Sequence, residues 1–488
     1  MLQQHTVPQM VRRHIRFLLA IMATVLLKPV QAAGLPPTLT QALDAARIPE
    51  SSVAVWVQAV EAATPQLEIA GDRPMNPASV MKIVTAFAAL DRLGPAFTWI
   101  TRVASGGAVA DGVLDGNLYL IGGADPMLNH ERLTRLLRQV RALGVTSIRG
   151  DIVLDGSALA LPPHDPAAFD GRALRPYNSG AHGLLMHFNT LQLRLLPAAA
   201  AGQPVKLAPY PSLSGIEIDN RITTGSGACG VWYGQLDAAL EAGPAGPRLV
   251  LSGSLPTSCG QRDWATAPLP PEAYGRALVA ALWTELGGRL DGTVRNGVTP
   301  DAAAPLLTES SPSLAEVVRE MNKWSSNVIA RQLLATLGRE SGAHFDMVAG
   351  GAEAVRAQLA ANGISTAGLV IENGSGLSRI ERASARTLAE ILLAAWRRPY
   401  MPEFIAALPI AGADGTARGR LSDSPARGHA HIKTGSINGV KSFAGYVLDR
   451  HGRRHAVVMM VNHPDAAGTQ AAQDALLEWV WATGGASP

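Results

Sequence analysis

Hydrophobic positions fall into two rhythms along this chain. Near the start, Val53, Val55 and Val57 alternate with Ala54, Trp56 and Gln58. This is strand periodicity with a second face apolar enough to be buried as well. Ala63-Thr64-Pro65 predicts a turn, and Leu67 to Ala70 a returning strand. A helix is expected from Pro77 to about Leu93, stopped by Gly94-Pro95. The helical rhythm returns at about 312, where "SLAEVVREMNKW" and "NVIARQLLATLG" flank Ser325-Ser326. Three strand signals follow, at His429–Thr434, Ser442–Leu448 and Ala456–Val461, with a closing helix from about Gln470 to Thr483.

From about 104 to 290 the texture is different. Short strand-like runs such as "GNLYLIGG", "GDIVLDGS" and "NTLQLRLLP" alternate with Gly and Pro turns, with one expected helix at about His130–Leu143. Strands near both ends with helices between them predict one α/β (α+β) domain whose sheet draws on both ends of the chain. That domain would comprise 33–103 and 291–488, with 104–290 inserted as a mainly β region. No internal repeat is visible.

The extreme N-terminus has its own pattern. Arg12, Arg13 and Arg16 precede an apolar run from Phe17 to Leu27, and Val30-Gln31-Ala32 follows as a small-x-small site. The pattern predicts a secretory signal over 1–32 and a periplasmic mature protein. The apolar run is too short for a comfortable membrane span. No cysteine stands near the cleavage site to carry a lipid.

Composition narrows the function. A chain of 488 residues with a net charge of +3 lacks the basic excess of a nucleic-acid binder, and it has no zinc-finger cysteine spacing. Its two cysteines, Cys229 and Cys259, permit one disulfide in an exported protein and equally fit two reduced core residues. Lysine is scarce. Of 42 basic residues only six are lysines, at 28, 82, 206, 323, 433 and 441, so arginine supplies nearly every routine positive charge. Arginine cannot give up its proton in practice and lysine can, so a lysine kept at 82 suits proton transfer.

Lys82 belongs to "NPASVMKIV". Asn76 is a good N-cap and Pro77 fits the first helical position, which puts Ser79 in the first turn, where backbone N–H groups are free. Lys82 lies one turn on, on the same face, among Met81, Ile83 and Phe87. Enclosed there it loses its proton more easily and can serve a nucleophilic Ser79 as general base. Taken alone, the pair also fits a solvated serine and lysine. Two further stretches change that balance: Ser325-x-Asn327 at an interhelix turn and Lys433-Thr434-Gly435 at a strand end.

Ser-x-x-Lys, Ser-x-Asn and Lys-Thr-Gly, in this order, form the set found in penicillin-binding proteins and class A β-lactamases. The first two are 246 residues apart and the last two 108. With this long first gap, and with "GGADPML", "ENGSGLSR" and "LPIAGADGTARGRL", the chain resembles the D-alanyl-D-alanine carboxypeptidase/endopeptidase family, the low-molecular-mass class C penicillin-binding proteins. Ser326 and Asn373 stand where that family often has Asp.

The resemblance implies a transpeptidase-like domain with a central antiparallel sheet flanked by helices, acting on peptidoglycan peptides that end in D-Ala-D-Ala. It implies Ser79 as nucleophile, Lys82 as its base, Ser325 as a proton relay to the leaving amine, and Asn327 as a holder of the substrate amide and of the lysine. Lys433, Thr434 and Ser436, beside Gly435, would bind the terminal carboxylate, with added positive charge from Arg379. Backbone N–H groups of Ser79 and Ser436 would form the oxyanion hole. β-Lactam antibiotics would acylate Ser79, and no metal or cofactor is implied. Asp125 in "GGADP" reads as part of a structural turn. The resemblance allows a weak membrane association and leaves the oligomeric state open. Two alternatives stand beside it: another serine hydrolase, although no Gly-x-Ser-x-Gly elbow is present, and a non-catalytic peptidoglycan-binding or β-lactam-sensing module.

Overall fold

A computed structural model describes residues 34–244 and 246–485. The expected signal over 1–32 lies outside the described residues. A five-stranded antiparallel sheet runs in the order Ala430–Ile437, Val440–Leu448, Arg454–Asn462, Val53–Ala59, Leu67–Ile69. The two ends of the sequence therefore meet in its middle, with Val53 opposite Val461 and Ala59 opposite His455. Every residue of Val53–Ala59 is buried, which accounts for the apolar character of both its faces. Ala54, Trp56, Val458 and Met460 join a core with the helices Met81–Leu93, Leu314–Trp324, Asn327–Glu340, Met347–Ala361 and Ala385–Trp396. The terminal helices Pro37–Ala45 and Gln470–Thr483 pack on each other, and the second also packs on the strand Val440–Leu448.

Between Ser105 and Ala304 the chain builds further sheets. Ile100–Ser105 pairs with Ala304–Ser310, so the strands entering and leaving this region are neighbours. They lie in a second five-stranded sheet with Leu118–Ile121, Ile152–Asp155 and Val294–Asn296. Two helices cover it, His130–Ala142 and Pro271–Glu285, through Leu133, Leu136, Leu137, Leu278, Leu282 and Trp283. The second of these helices corrects the expectation of a single helix in this stretch. Gly275 interrupts its pattern and Pro270-Pro271 reads as a loop, although proline at the first helical turn is a start signal.

Two three-stranded sheets share a third core around Leu193, Leu195, Leu249, Leu251 and Trp264. There Cys229 and Cys259 form a disulfide. Asp125 binds Arg132 at 2.6 Å and the Met127 N–H at 2.8 Å, a structural turn. Among the described residues, no helix is long and apolar enough to cross a membrane.

Candidate active site

Ser79 sits slightly outside the helix expected for it. Asn76 does cap, its side chain accepting from the Ala78 N–H at 2.8 Å. The next turn is a 3₁₀ turn, Ala78–Val80, and the α-helix begins only at Met81. Ala78 takes a left-handed φ of 45° to start this turn, a costly conformation for a residue with a Cβ. The turn is held from the sheet: Ser442 Oγ donates to the Pro77 carbonyl at 2.6 Å, and Asn462 exchanges hydrogen bonds with the Asn76 backbone. A Cβ on Gly435 would stand 2.6 Å from Pro77 O and 3.0 Å from Ser79 N. Only glycine lets the edge strand approach the serine this closely.

Lys82 is fully buried one turn further on. Its Nζ lies 3.1 Å from Ser79 Oγ and donates to Asn327 Oδ1 at 2.7 Å and to the Ser375 carbonyl. Burial drives its pKa well below the ordinary 10.5, and the charge on Lys433 pushes it in the same direction. All its hydrogen-bond partners are neutral, so nothing in direct contact compels it to keep a charge.

Ser325 and Asn327 reach the site because the helix Leu314–Trp324 ends on Ser325 in the left-handed conformation, φ 58°. Ser326 then caps Asn327–Glu340, accepting from the Ile329 N–H. This sharp joint turns the side chains on either side of Ser326 into one cleft. Ser325 Oγ accepts from Lys433 Nζ at 2.9 Å. Lys433 is also fully buried, and burial brings its pKa down to about 7. It projects from the edge strand Ala430–Ile437, with Thr434, Gly435 and exposed Ser436 beyond it. Thr434 Oγ1 meets Thr416 Oγ1 at 3.0 Å. The Ile432 N–H points away from the sheet, to the Pro409 carbonyl. By strand alternation the N–H groups of Thr434 and Ser436 point the same way, off the open edge.

Ser79, Lys82 and Asn327 thus form one hydrogen-bonded group and Ser325 and Lys433 a second, near enough for the charge on Lys433 to act on Lys82, with Thr434–Ser436 along the edge. Arg379 lies at the rim. It donates to the Asn438 carbonyl at 3.2 Å, and its guanidinium covers the Phe169 ring at 4.5 Å. It borders a cleft of about 540 Å³ that His164, Asn178, Arg331 and Asn373 also line.

Two contributors carry no motif. Glu381 is fully buried, and its carboxylate accepts from the backbone N–H groups of Glu372, Asn373, Gly374 and Gly376 at 2.8–3.1 Å. Burial raises its pKa against the pull of these donors. The carboxylate ties the loop that offers the Ser375 carbonyl to Lys82. Gly376 in that loop, at φ 79°, would place a Cβ 1.8 Å from the Ala78 carbonyl. Arg331, one turn after Asn327, binds the carbonyls of Tyr177 and Ser179, and burial lowers its pKa to about 10. The i+4 spacing from Asn327 was the available signal for Arg331. Glu381 had none.

The site is thus framed by a five-stranded sheet with a serine–lysine turn held against its edge strand. The chain belongs to the D-Ala-D-Ala carboxypeptidase 3 (S13) family, which it matches over residues 37–482. It is 29% identical over 423 residues to the D-alanyl-D-alanine carboxypeptidase of Actinomadura sp. (strain R39), an alignment covering 83% of this chain and 77% of that one. It is 27% identical over 397 residues to the D-alanyl-D-alanine carboxypeptidase DacB of Haemophilus influenzae, covering 80% and 81%. In structure it resembles penicillin binding protein 4 (dacB) of Haemophilus influenzae, with a TM-score of 0.73 at 24% identity, covering 91% of this chain and 99% of that chain. A Bdellovibrio bacteriovorus predatory endopeptidase shares the fold at TM-score 0.51 and 14% identity.

Proposed function

We propose that this protein is a serine D-Ala-D-Ala carboxypeptidase, with D,D-endopeptidase capacity, acting on peptidoglycan stem peptides through an acyl-enzyme on Ser79. The observation that carries the reading is the fully buried Lys82 with its Nζ 3.1 Å from Ser79 Oγ. Neutral Lys82 takes the hydroxyl proton as Oγ attacks the carbonyl of the penultimate D-alanine. The N–H groups of Ser79 and Ser436 stabilise the oxyanion. Asn327 orients Lys82 and the substrate amide. Lys433, Thr434 and Ser436 hold the terminal carboxylate, and Arg379 adds positive charge from the rim. As the C–N bond breaks, the amine takes a proton through Ser325, which is bonded to Lys433. Water then releases the acid and restores Ser79.

The same geometry accepts β-lactams as mimics of the dipeptide. The Haemophilus influenzae relative has been seen complexed with a novel β-lactam. We further propose a peptidase region interrupted by an inserted region whose limits lie nearer 100–310 than the expected 104–290, because Ile100–Ser105, Val294–Asn296 and Ala304–Ser310 share one sheet with Leu118–Ile121 and Ile152–Asp155. A periplasmic location after removal of 1–32 agrees with the Cys229–Cys259 disulfide, which requires an oxidising compartment.

Fluorescent penicillin tests the core of this reading. One labelled site is expected, lost in Ser79→Ala. Lys82→Arg keeps the charge but removes the base, and acylation should fall by a factor on the order of 10² or more. Labelling that survives Ser79→Ala, or normal acylation in Lys82→Arg, refutes the assignment.

A further inference from the structure

A second, smaller groove opens at Trp324, the residue before Ser325, and nothing in the proposed carboxypeptidase chemistry uses it. It measures about 280 Å³ and lies between the last turns of the helix Leu314–Trp324 and the loop 413–418. Its floor is built. Lys323 Nζ bonds Asp414 Oδ2 at 2.5 Å and the Leu408 carbonyl at 2.8 Å. A Cβ on Gly415 would stand 2.6 Å from the Lys323 carbonyl, so the loop is pressed onto the helix end. The loop then reaches the substrate strand through the Thr416–Thr434 hydrogen bond.

The walls are Trp324, whose indole is 61% exposed, and the exposed Arg319 and Arg418. Neither arginine forms an ion pair among the described residues. With Lys323 and Asp414 cancelling each other, the groove keeps these two cations against Glu320 alone. An exposed indole beside surplus guanidinium groups suits an aliphatic stem that ends in carboxylates.

Chemistry fixes what such a groove would hold. In carboxypeptidase action the leaving group is D-alanine, with its carboxylate on Lys433 and Thr434 and its amine at Ser325. In crosslink cleavage the leaving group has the same D-configured carbon, carboxylate and amine. Its methyl, however, is replaced by a side chain running on into a second, acidic stem peptide. Only those added atoms separate the two reactions, and they start next to Ser325 and Thr434. Resting on the carboxypeptidase reading above, we infer that this groove is the seat of the leaving half of a crosslinked substrate, with the acidic groups beyond its D-centre carboxylate on Arg319 and Arg418 and its aliphatic side chain on Trp324.

The covalent step is unchanged. Ser79 Oγ bonds to the D-alanine carbonyl carbon, the amide C–N bond breaks, the amine leaves with one proton, and water later hydrolyses the ester. The groove sets which leaving groups are taken. Exposed cations of this kind are screened by salt, so crosslink cleavage should also fall with ionic strength more steeply than D-alanine release.

The test compares the whole mature protein with the Arg319→Ala/Arg418→Ala double variant on two substrates. One is a peptide ending in D-Ala-D-Ala. The other is a dimer whose D-alanine is joined to the D-centre amine of a diamino-diacid. The expected result is a loss of roughly fivefold or more in kcat/KM on the dimer, mostly in KM, with the monomer changed by less than about twofold. Equal losses on both substrates, no loss on the dimer, or a wild type that cuts the monomer but not the dimer would overturn the groove assignment. Failure of the underlying reading looks different: the wild type would take no penicillin on Ser79 and release no D-alanine.

Discussion

In the mechanism we propose, Lys82 and Lys433 serve one serine with opposite protonation needs. Lys82 must be neutral to take the proton and Lys433 charged to hold a carboxylate, yet both are fully buried and both are lowered. Burial brings the Lys433 pKa down to about 7. A depressed lysine is charged below its pKa and neutral above it. The kcat/KM for a peptide with a free carboxylate should therefore decline above a pH of about 7, because kcat/KM reports the free enzyme. A bound carboxylate favours the charged lysine, so kcat should hold to higher pH. The acid limb, where Lys82 regains its proton, should lie far below the ordinary lysine value of 10.5. Profiles for a free-acid peptide and its amidated counterpart check this. If the decline near 7 persists in the amidated peptide, Lys433 is not its source.

At the scale of elements, the site depends on two pieces of backbone that motifs do not describe. One is the left-handed joint at Ser325. The other is the loop 372–380, folded around the Glu381 carboxylate. Glu381→Ala would leave four backbone donors buried without partners, at a cost of about 3 kcal/mol or more. It would also release the Ser375 carbonyl from Lys82. Thermal unfolding and penicillin labelling should both drop. Glu381→Gln keeps an oxygen for the three donors on Oε1 and loses only Gly376, so it should recover much of the labelling. Equal damage from both substitutions would mean that the charge, not the cradle, is what counts.

The same scale explains what the sequence made legible. Ser79, Lys82, Ser325, Asn327 and Lys433–Gly435 fall into short spacings whose chemistry is local, and the strands at both ends alternate cleanly. Glu381 lies next to Arg382 and looks like one half of a surface pair. No local pattern signals that four N–H groups converge on it. Pro37–Ala45, Met347–Ala361 and Ala385–Trp396 do not stand out individually in the sequence. The second, "MVAGGAEAVRAQLAA", is rich in Ala and Gly, which leaves only a weak version of the one-sided stripe that marks a surface helix. The start at Met81 rather than Pro77 depends on Ser442 and Asn462, which lie more than three hundred residues downstream.

At the scale of the molecule, the core around Leu193, Leu251 and Trp264 is separate from the one beneath Ser79. The Cys229–Cys259 bond closes a 30-residue separation within it. Replacing both cysteines by serine should cost roughly 3–4 kcal/mol of local stability. The penicillin acylation rate should be unchanged, since none of the site's hydrogen bonds reach that core. Calorimetry beside stopped-flow acylation checks this. A large loss of acylation would show that the two regions are energetically coupled.

The central sheet has a consequence for when the enzyme becomes active. Val53–Ala59 finds its partner in Arg454–Asn462, made roughly 400 residues later. At typical synthesis speeds that is a wait of roughly 20 to 80 seconds. Until the last strands arrive, Ser79 has no edge strand beside it, no Lys433 and no Ser442 to hold its turn. On the proposed mechanism the nascent chain therefore carries its nucleophile without the means to use it, and peptidase activity appears only once the last strands have been made and have folded.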